Sequence, residues 1–207
     1  MTRGKFITLE GIEGVGKTTN VEFVKQHLQK QGISVVVTRE PGGTLIAEKI
    51  RELLLHQNSE SLSEQAELLL VFAARAQHIK HVIEPALMQG NWVVSDRFTD
   101  ATYAYQGGGR AMKTSAIEWL EHWVQGHLKP DLTLLLDAPV DVGMARAKAR
   151  GGSDRFEEER NSFFERVRRA YLLQAELYPE RIKLIKANQP VCDVQHAMVE
   201  SMRVLLR

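Results

Sequence analysis

The chain has 207 residues, of which 43% are hydrophobic and 26% are charged, a composition typical of a globular protein with one sizeable core. Its 27 basic and 26 acidic residues leave a net charge of +1, which excludes the broad basic face of a nucleic-acid-binding protein. Cys192 is the single cysteine and cannot form an internal disulfide. The N-terminus leaves no room for a signal peptide before the first predicted strand, and no apolar run approaches the ~20 residues of a membrane span. These features predict a cytoplasmic protein that binds neither membranes nor nucleic acids.

The most informative motif lies near the N-terminus. Residues 6–9 are apolar or β-branched, which predicts a buried strand, and Val21, Val24 and Leu28 predict a helix that starts near Thr18. Between them the chain matches G-x-x-x-x-G-K-[ST], whose backbone N–H groups and helix N-terminus bind an oligophosphate. Lys17 is expected to reach the terminal phosphates and Thr18 to bind the accompanying Mg²⁺, so the motif predicts a nucleoside triphosphate ligand. The predicted phosphate-binding residues are Gly11, Ile12, Glu13, Gly14, Val15, Gly16, Lys17 and Thr18.

Further along the chain, apolar runs alternate with helical patterns. Each run is typical of a strand in a sheet that is covered on both faces, and strands that alternate with helices form right-handed βαβ units. The sequence therefore predicts an α/β fold of three layers, with residues 1–207 in a single domain. The predicted strands are residues 34–38, 91–95, 132–136 and 182–185. The predicted helices are roughly 44–56, 63–89, 113–127, 140–150, 157–178 and 191–206.

Two glycine-rich segments are predicted to be loops on the side of the sheet where ligands bind. Residues 105–110 contain three glycines without a phosphate-loop pattern, and residues 149–155 combine two glycines with Arg150 and Arg155. The three glutamates at 157–159 are predicted to form the first turn of the next helix, where the helix dipole favours acidic side chains.

Two strand ends carry a carboxylate that is suited to holding Mg²⁺, Asp96 after the third strand and Asp137 after the fourth. Asp96 is favoured because Arg97 beside it offers a planar guanidinium for a second phosphate group. The alternative interpretation of Asp96 and Arg97 is a surface ion pair at a strand end.

The turn after the second strand projects Arg39 and Glu40, because Pro41 and two glycines fix its backbone. An ordinary strand-to-helix connection is the alternative, since such residues are common there. Arg51 lies about two turns into the next helix and points either toward the same space or into solvent.

The apolar run at residues 68–74 predicts a helix that is buried on most sides. From this run alone, Phe72 is interpreted as core packing, whereas Arg75 needs a partner because a buried helix rarely carries an unpaired arginine. His78 and His81 have no acidic or cysteine ligand beside them and are interpreted as surface histidines.

The segments EGIEGVGKTT, TREPGGT, FAAR, DRFTDATYAYQGGGR and ARGGSDR, in this order, resemble the bacterial thymidylate kinases over nearly the whole chain. The resemblance implies the fold of the P-loop nucleoside monophosphate kinases, a five-stranded parallel sheet flanked by helices. It implies transfer of the γ-phosphoryl of ATP to dTMP with Mg²⁺, giving dTDP and ADP, and a homodimer. It further implies a basic lid at about 149–157, in which Arg150 and Arg155 act as catalytic residues together with Lys17 and Arg97.

The same resemblance implies which residues bind dTMP. Glu13 matches a position that contacts the sugar 3′-hydroxyl or the metal, Phe72 one that stacks on thymine, and Arg75 one that reaches a thymine carbonyl. The dTMP set that it implies is Glu13, Arg39, Glu40, Arg51, Phe72, Arg75, Arg97, Thr102, Tyr105 and Gln106. The predicted metal-binding residues remain Thr18 and Asp96, and whether Glu13 or Asp96 contacts the metal directly stays open. Three positions depart from the common family pattern, namely Glu13 for Asp, Thr102 for Ser or Asn, and Phe98 for Tyr.

Other P-loop proteins remain as alternatives. A small GTPase-like switch would need a guanine-reading N-K-x-D element, which the sequence lacks. Another P-loop nucleotide kinase or a deoxynucleoside kinase is the nearer alternative. A deoxynucleoside kinase phosphorylates a sugar hydroxyl, so it needs a general base there and has less use for several arginines around the acceptor.

Overall fold

Five parallel strands form one sheet in the computed structural model, which describes residues 3–56, 60–151 and 155–206. The strands pair in the order β2-β3-β1-β4-β5, and every pairing is parallel. The predicted α/β fold, a five-stranded parallel sheet flanked by helices, is confirmed. The strands are β1 (Phe6–Glu10), β2 (Val35–Arg39), β3 (Trp92–Asp96), β4 (Leu132–Asp137) and β5 (Ile182–Lys186).

The centre of the sheet is β1, and all five of its residues are buried. Its sequence shows no polar alternation because both faces of the strand are covered. Leu9 packs with Val94 and Leu134 from the neighbouring strands in the largest hydrophobic cluster. At the edge, β2 is only partly buried, and its Val37 is 41% exposed.

The strand register brings three chain segments to one edge of the sheet. Asp96 at the end of β3 lies opposite Leu9 of β1 on one side and Arg39 of β2 on the other. The chain runs from β1 outward to β2, returns through β3 and crosses β1 to reach β4. In open α/β sheets, such a reversal of strand order leaves a crevice at the carboxyl ends of the strands, and ligands bind there.

Nine α-helices connect and flank the strands of the described part of the chain. The predicted helix at 63–89 is continuous but consists of α3, a π-helical turn at Ile79–Ile83, and α4. None of the described helices has the length and apolar composition that crossing a lipid bilayer requires. The helices are α1 (Lys17–Lys30), α2 (Leu45–Leu55), α3 (Glu64–His78), α4 (Glu84–Met88), α5 (Thr99–Thr102), α6 (Thr114–Gln125), α7 (Val140–Arg150), α8 (Asn161–Leu177) and α9 (Val191–Met202).

The prediction that residues 68–74 are buried on most sides is wrong. Leu68, Phe72 and Ala74 are buried, but Leu69 is 57% exposed. The buried side of α3 packs against α6 through Ile117, and the other side has no described helix over it at Leu69.

The prediction of a loop at residues 105–110 is also wrong, since a π-helical segment, Tyr103–Gly109, continues directly from α5. The glycines there serve close packing. A Cβ on Gly108 would lie 2.6 Å from the Cβ of Ala170 and 2.8 Å from the carbonyl oxygen of Arg166, both on α8. Larger residues would push α8 away from this segment.

The glutamates at 157–159 do not form a first helical turn, because α8 begins only at Asn161. Two of these carboxylates are instead held by arginines. Glu157 accepts a hydrogen bond from Arg150 at 2.5 Å, and Glu159 pairs with Arg110. These ion pairs fix the chain in a turn ahead of the helix.

Candidate active site

A cavity of about 740 Å³ opens at the carboxyl ends of β1, β2 and β3, a volume in the range of small-molecule sites. Most of the predicted site residues line it. Those that the structure brings together on its wall are Glu13, Gly14, Gly16, Lys17, Thr18, Arg39, Glu40, Arg51, Arg75, Asp96, Arg97, Thr102, Tyr105, Gln106 and Arg150.

The phosphate loop at one end of the cavity requires its glycines. Gly11 and Gly14 have φ values of 134° and 72°, which disfavour any residue with a Cβ. A Cβ on Gly11 would lie 2.3 Å from the carbonyl oxygen of Leu136, and one on Gly14 would lie 1.8 Å from that of Gly143. The loop is therefore wedged between β4 and α7.

Two residues of the loop contribute backbone alone. The side chains of Ile12 and Val15 are 2% and 3% exposed and pack in the main core. Neither side chain reaches the cavity wall, so what these residues offer a phosphate is the peptide N–H. Their burial also anchors the loop on the sheet.

Lys17 closes the phosphate loop. Its Nζ donates to the carbonyl oxygens of Gly11 at 3.0 Å and of Ile12 at 2.8 Å. Burial, followed by the charge of Arg97, lowers the pKa of Lys17 from 10.5 to about 8. The ammonium group is thus held over the loop mouth, where an anionic ligand would stabilise its charge.

The structure separates the two candidate metal-binding carboxylates. Both oxygens of Asp137 accept hydrogen bonds from Arg168, at 2.7 and 2.9 Å, and Asp137 does not line the cavity. Asp96 does line it, and its buried Oδ1 has no hydrogen-bond partner among the described residues. The carboxylate that is available to a cation is therefore Asp96, with the Thr18 hydroxyl on the same cavity wall.

Arg97 joins the end of β3 to the phosphate loop. Its φ of 72° is strained for a residue with a side chain. Nη1 donates to the carbonyl oxygen of Gly11 at 2.8 Å, and Nη2 donates to Glu13 and to the Tyr105 hydroxyl, each at 2.9 Å. The carboxylate of Glu13 also accepts from Tyr105 at 2.6 Å, so Glu13 is engaged by the protein itself.

A buried polar cluster lies at the other end of the cavity. Arg75, which is 1% exposed, donates from Nε to Glu40 at 2.8 Å and from Nη2 to Thr102 at 2.9 Å. Its Nη1 is buried without a partner in the described chain, although Arg75 borders the cavity. A buried donor without a partner favours a ligand acceptor at this point.

The interpretation of His78 as a surface histidine is wrong. It is fully buried, with its Nδ1 2.9 Å from Glu40 and its Nε2 2.6 Å from the hydroxyl of Thr38. Helical spacing alone does not show that this position of α3 faces β2. His81, in contrast, is exposed as expected.

Arg39, which is exposed, and Arg51, which is partly buried, also line the cavity. Arg39 pairs with Glu48 at 2.9 Å, and Arg51 donates to the carbonyl oxygen of Pro41 at 2.8 Å. Arg51 therefore points toward the turn after β2, which settles the alternative of a solvent-facing side chain.

Besides Gly11, Ile12 and Val15 of the phosphate loop, two further predicted site residues, Phe72 and Arg155, do not line the cavity. Phe72 is 2% exposed, packs with Leu68, and carries the guanidinium of Arg75 on its ring face at 4.8 Å. Arg155 donates to the carbonyl oxygen of Leu54 at 2.9 Å and to Glu67 at 2.5 Å. Residues 152–154 of the predicted lid lie outside the described residues.

The sequence interpretation missed several residues of the site. Arg146 lines the cavity from α7, and its spacing of four from Arg150 is a signal that could have identified it. Glu10 is fully buried and accepts from the backbone N–H of Phe98 at 2.7 Å and from Tyr171 at 2.8 Å. An acidic residue that ends an apolar strand was the signal for Glu10, whereas nothing local marks Tyr171.

Comparison with known proteins gives a consistent result. The thymidylate kinase family pattern matches residues 9–198. The thymidylate kinase of Methylococcus capsulatus (strain ATCC 33009 / NCIMB 11132 / Bath) is 55% identical over 206 residues, covering 100% of this chain and 98% of that protein. That of Pseudomonas entomophila (strain L48) is 58% identical over 195 residues, covering 94% and 93%. A crystal structure of thymidylate kinase from Ehrlichia chaffeensis matches with a TM-score of 0.79 and 34% identity, covering 99% of this chain and all of that one. The chain therefore belongs to the thymidylate kinase family and is, like its members, an ATP-dependent nucleoside monophosphate kinase.

Proposed function

We propose that this chain transfers the γ-phosphoryl group of ATP to the phosphate of dTMP, giving dTDP and ADP, a step of dTTP synthesis. The observation that carries the proposal is one cavity lined both by the phosphate loop and by Arg75 of the buried cluster, with Arg39, Arg51 and Arg97 also on its wall. One end suits a triphosphate, and the other offers hydrogen-bond donors for a base.

The cavity suits an acceptor that is already anionic. A phosphate oxygen of dTMP attacks the γ-phosphorus, the bond to the β–γ bridging oxygen breaks, and ADP leaves. Because the nucleophile carries a negative charge, no general base is needed, and the described residues that line the cavity include no histidine. Catalysis then consists of alignment and charge stabilisation, for which Lys17 and Arg97 provide cationic donors.

Magnesium is proposed as the metal that accompanies ATP. Asp96 and Thr18 would hold it, because Asp96 has a buried oxygen with no partner in the described chain and both residues border the cavity. No group of three or more His, Cys, Asp or Glu suited to a metal occurs in the described chain. That fits a cation bound by one or two protein groups and substrate phosphates. The ion would neutralise phosphate charge.

For dTMP, we propose three groups of contacts. Arg39, Arg51 and Arg97 would surround the acceptor phosphate, and the cavity wall that all three line supports this part of the proposal. Glu13 and Tyr105 lie on the sugar side, where the tyrosine would crowd a 2′-hydroxyl. The proposed base contacts are Arg75, Thr102 and Gln106, which line the cavity, with Glu40 holding Arg75. Phe72 is the fourth proposed contact, and its ring would have to be uncovered to stack on the base, because it does not line the cavity.

We also propose that the chain forms one domain in which the segment at about 149–157 is a lid over ATP. Arg150 supports this proposal, because it borders the cavity from the end of α7 and is 60% exposed in its side chain. Arg155 is the second proposed lid arginine, and its pair with Glu67 would have to break before it contacted a phosphate.

A homodimer is proposed from the apolar surface of α2 and α3. Leu45, Ile46, Leu53 and Leu69 are each at least 50% exposed on these two helices, which pack against each other. A second copy of the chain would cover these side chains. The proposed location is the cytoplasm, where ATP is available as the donor.

A coupled assay of ADP release tests the proposed reaction. With Mg²⁺ and ATP, we expect turnover of dTMP well above that of dUMP, dCMP, dGMP and AMP, and none of thymidine. Turnover of thymidine in place of dTMP would instead identify a deoxynucleoside kinase. A folded protein that leaves dTMP unchanged would refute the proposal.

A further inference from the structure

His78 is a buried histidine that touches the active site only through another residue. It is fully buried at the end of α3 and does not border the cavity. Its Nδ1 lies 2.9 Å from Oε1 of Glu40, and its Nε2 lies 2.6 Å from Oγ1 of Thr38. Both contacts are to the segment at the end of β2, nearly 40 residues away in sequence.

Glu40 links His78 to a residue of the cavity wall. Its second oxygen, Oε2, accepts from Nε of Arg75 at 2.8 Å, so His78 and Arg75 hold the two oxygens of one carboxylate. Burial raises the pKa of Glu40, but the charge of Arg75 and the hydrogen bond from His78 outweigh it and lower the pKa. Since an ionised carboxylate can only accept hydrogen bonds, Nδ1 of His78 is protonated and donates the hydrogen bond to Glu40.

The imidazole ring also fixes the turn that carries Glu40. Gly43 has a φ of 84°, and a Cβ there would lie 2.5 Å from Cδ2 of His78. The ring therefore packs directly on the backbone of this turn. A smaller side chain would therefore loosen the packing on this turn, and only its hydrogen bond to Glu40 could then hold the carboxylate.

Arg75 is the cavity residue at the end of this series of contacts. With Nε bound to Glu40 and Nη2 bound to Thr102 and to the carbonyl oxygen of Phe98, its plane is fixed. The one remaining nitrogen, Nη1, is buried without a partner in the described chain. A donor in that position favours a ligand with a carbonyl oxygen there and disfavours a ligand with an amino group.

We propose that His78 is a positioning residue that makes the kinase select a pyrimidine with a carbonyl oxygen at position 4. It does so by holding Glu40 in the orientation that directs Arg75 into the cavity. The inference rests on the proposed function. Thymine has that carbonyl, whereas cytosine has an amino group at the same position.

The test compares His78→Leu, which removes the donor, with His78→Asn, which keeps an amide N–H close to the position of Nδ1. We expect His78→Leu to raise the KM for dTMP about tenfold, since a hydrogen bond to a charged group is lost. The KM for ATP and the kcat at saturating dTMP should stay within about twofold, and the preference for dTMP over dCMP in kcat/KM should fall. His78→Asn should restore most of the KM and the preference, and His81→Leu, on the exposed histidine nearby, should change neither.

An unchanged KM for dTMP in a folded His78→Leu protein would overturn the inference, as would an equal loss in dTMP and dCMP turnover. If His78→Leu does not fold, a comparison of His78→Asn with His78→Gln tests the inference instead. Gln places its amide nearer the position of Nε2, toward Thr38. Only His78→Asn is therefore expected to keep the wild-type KM for dTMP. Equal KM values for the two variants would overturn the inference. Wild-type protein that fails to phosphorylate dTMP would refute the proposed function, whereas normal wild-type activity with an insensitive His78→Leu refutes the role of His78 alone.

Discussion

Arg155 donates from Nη2 to Oε2 of Glu67 at 2.5 Å and thereby ties the segment after α7 to the side of α3. Glu67 is 1% exposed, and its other oxygen accepts from Gln106 at 2.9 Å. Arg150, five residues earlier, borders the cavity and pairs only with the neighbouring Glu157 in the described contacts. The two lid arginines therefore occupy different environments.

This difference predicts the effects of replacing each arginine on kcat and KM. Arg150→Ala should lower kcat by about 10³–10⁵ with a change in the KM for dTMP of less than about threefold, because a cation that stabilises the charge of the transition state is removed. Arg155→Ala should also lower kcat. Steady-state kinetics for both substrates measure the split, and a raised KM with an unchanged kcat would remove either residue from the transition state.

Glu67→Gln is the control for Arg155, because it weakens the same ion pair from the α3 side and leaves Arg155 able to reach a phosphate. If Arg155 acts on the phosphoryl group, Glu67→Gln should keep most of the kcat that Arg155→Ala loses. Equal losses in the two variants would show that Arg155 acts only as an anchor of the segment.

Glu10 predicts a specific pH dependence of stability. Burial, followed by the charge of Asp100, raises the pKa of Glu10 from 4.5 to about 8. Between these values the folded state binds a proton that the unfolded state lacks. The stability that Glu10 contributes is therefore complete below pH 4.5 and is lost as the pH rises through 8, by up to about 1.4 kcal/mol per pH unit.

Glu10→Gln, which stays neutral, should remove this loss, so that its free energy of unfolding rises relative to wild type between pH 5 and 8. Urea denaturation at four pH values in this range measures it. The control is Glu22→Gln, an exposed residue whose pKa is lowered by its hydrogen bonds with Gln26 and Lys25, so that its titration lies below the range. Parallel curves for wild type and Glu10→Gln would contradict the prediction.

The sequence was sufficient where the relevant physics is local. The strand, the glycine loop and the start of α1 follow each other within 25 residues, and each is specified by its own side chains. Asp96 and Asp137 show the limit, because both follow an apolar strand. Only the distant Arg168, which binds one of them, distinguishes the two.

Residues 105–110 and His78 could not be predicted for a related reason. The glycines of the first are required by the approach of α8, some 60 residues later, and not by a turn. His78 is buried by contacts with Thr38 and Glu40 on another element. Both depend on tertiary packing, which residue spacing within one element does not contain.

Phe72 is predicted to matter for dTMP binding through its ring face. Phe72→Leu keeps most of the apolar volume and should cost less than about 1.5 kcal/mol of stability, whereas Phe72→Ala would cost about 3–5 kcal/mol. We expect the dissociation constant for dTMP to rise several-fold in Phe72→Leu, because the proposed stack on thymine is lost together with the face that supports Arg75. Dissociation constants for dTMP, measured by calorimetry on folded protein, test this.

Leu68→Ala is the control for packing, since Leu68 is in the same buried cluster one turn earlier. It should lower the melting temperature without changing dTMP affinity. Normal dTMP affinity in a folded Phe72→Leu protein would show that the ring serves the core alone.

Asp96 and Asp137 form a matched pair for the magnesium prediction. Asp96→Asn should raise the Mg²⁺ concentration needed for half-maximal activity and lower kcat about 10²-fold, because a charged oxygen ligand is lost. It should not lower the melting temperature, because the buried Oδ1 of Asp96 has no partner to lose in the described chain.

Asp137→Asn should behave in the opposite way. It loses the paired hydrogen bonds with Arg168, so stability should fall by about 1 kcal/mol while the Mg²⁺ titration stays that of wild type. Activity measured against Mg²⁺, together with thermal unfolding of both variants, decides the matter, and a normal Mg²⁺ requirement in Asp96→Asn would exclude Asp96 from the metal site.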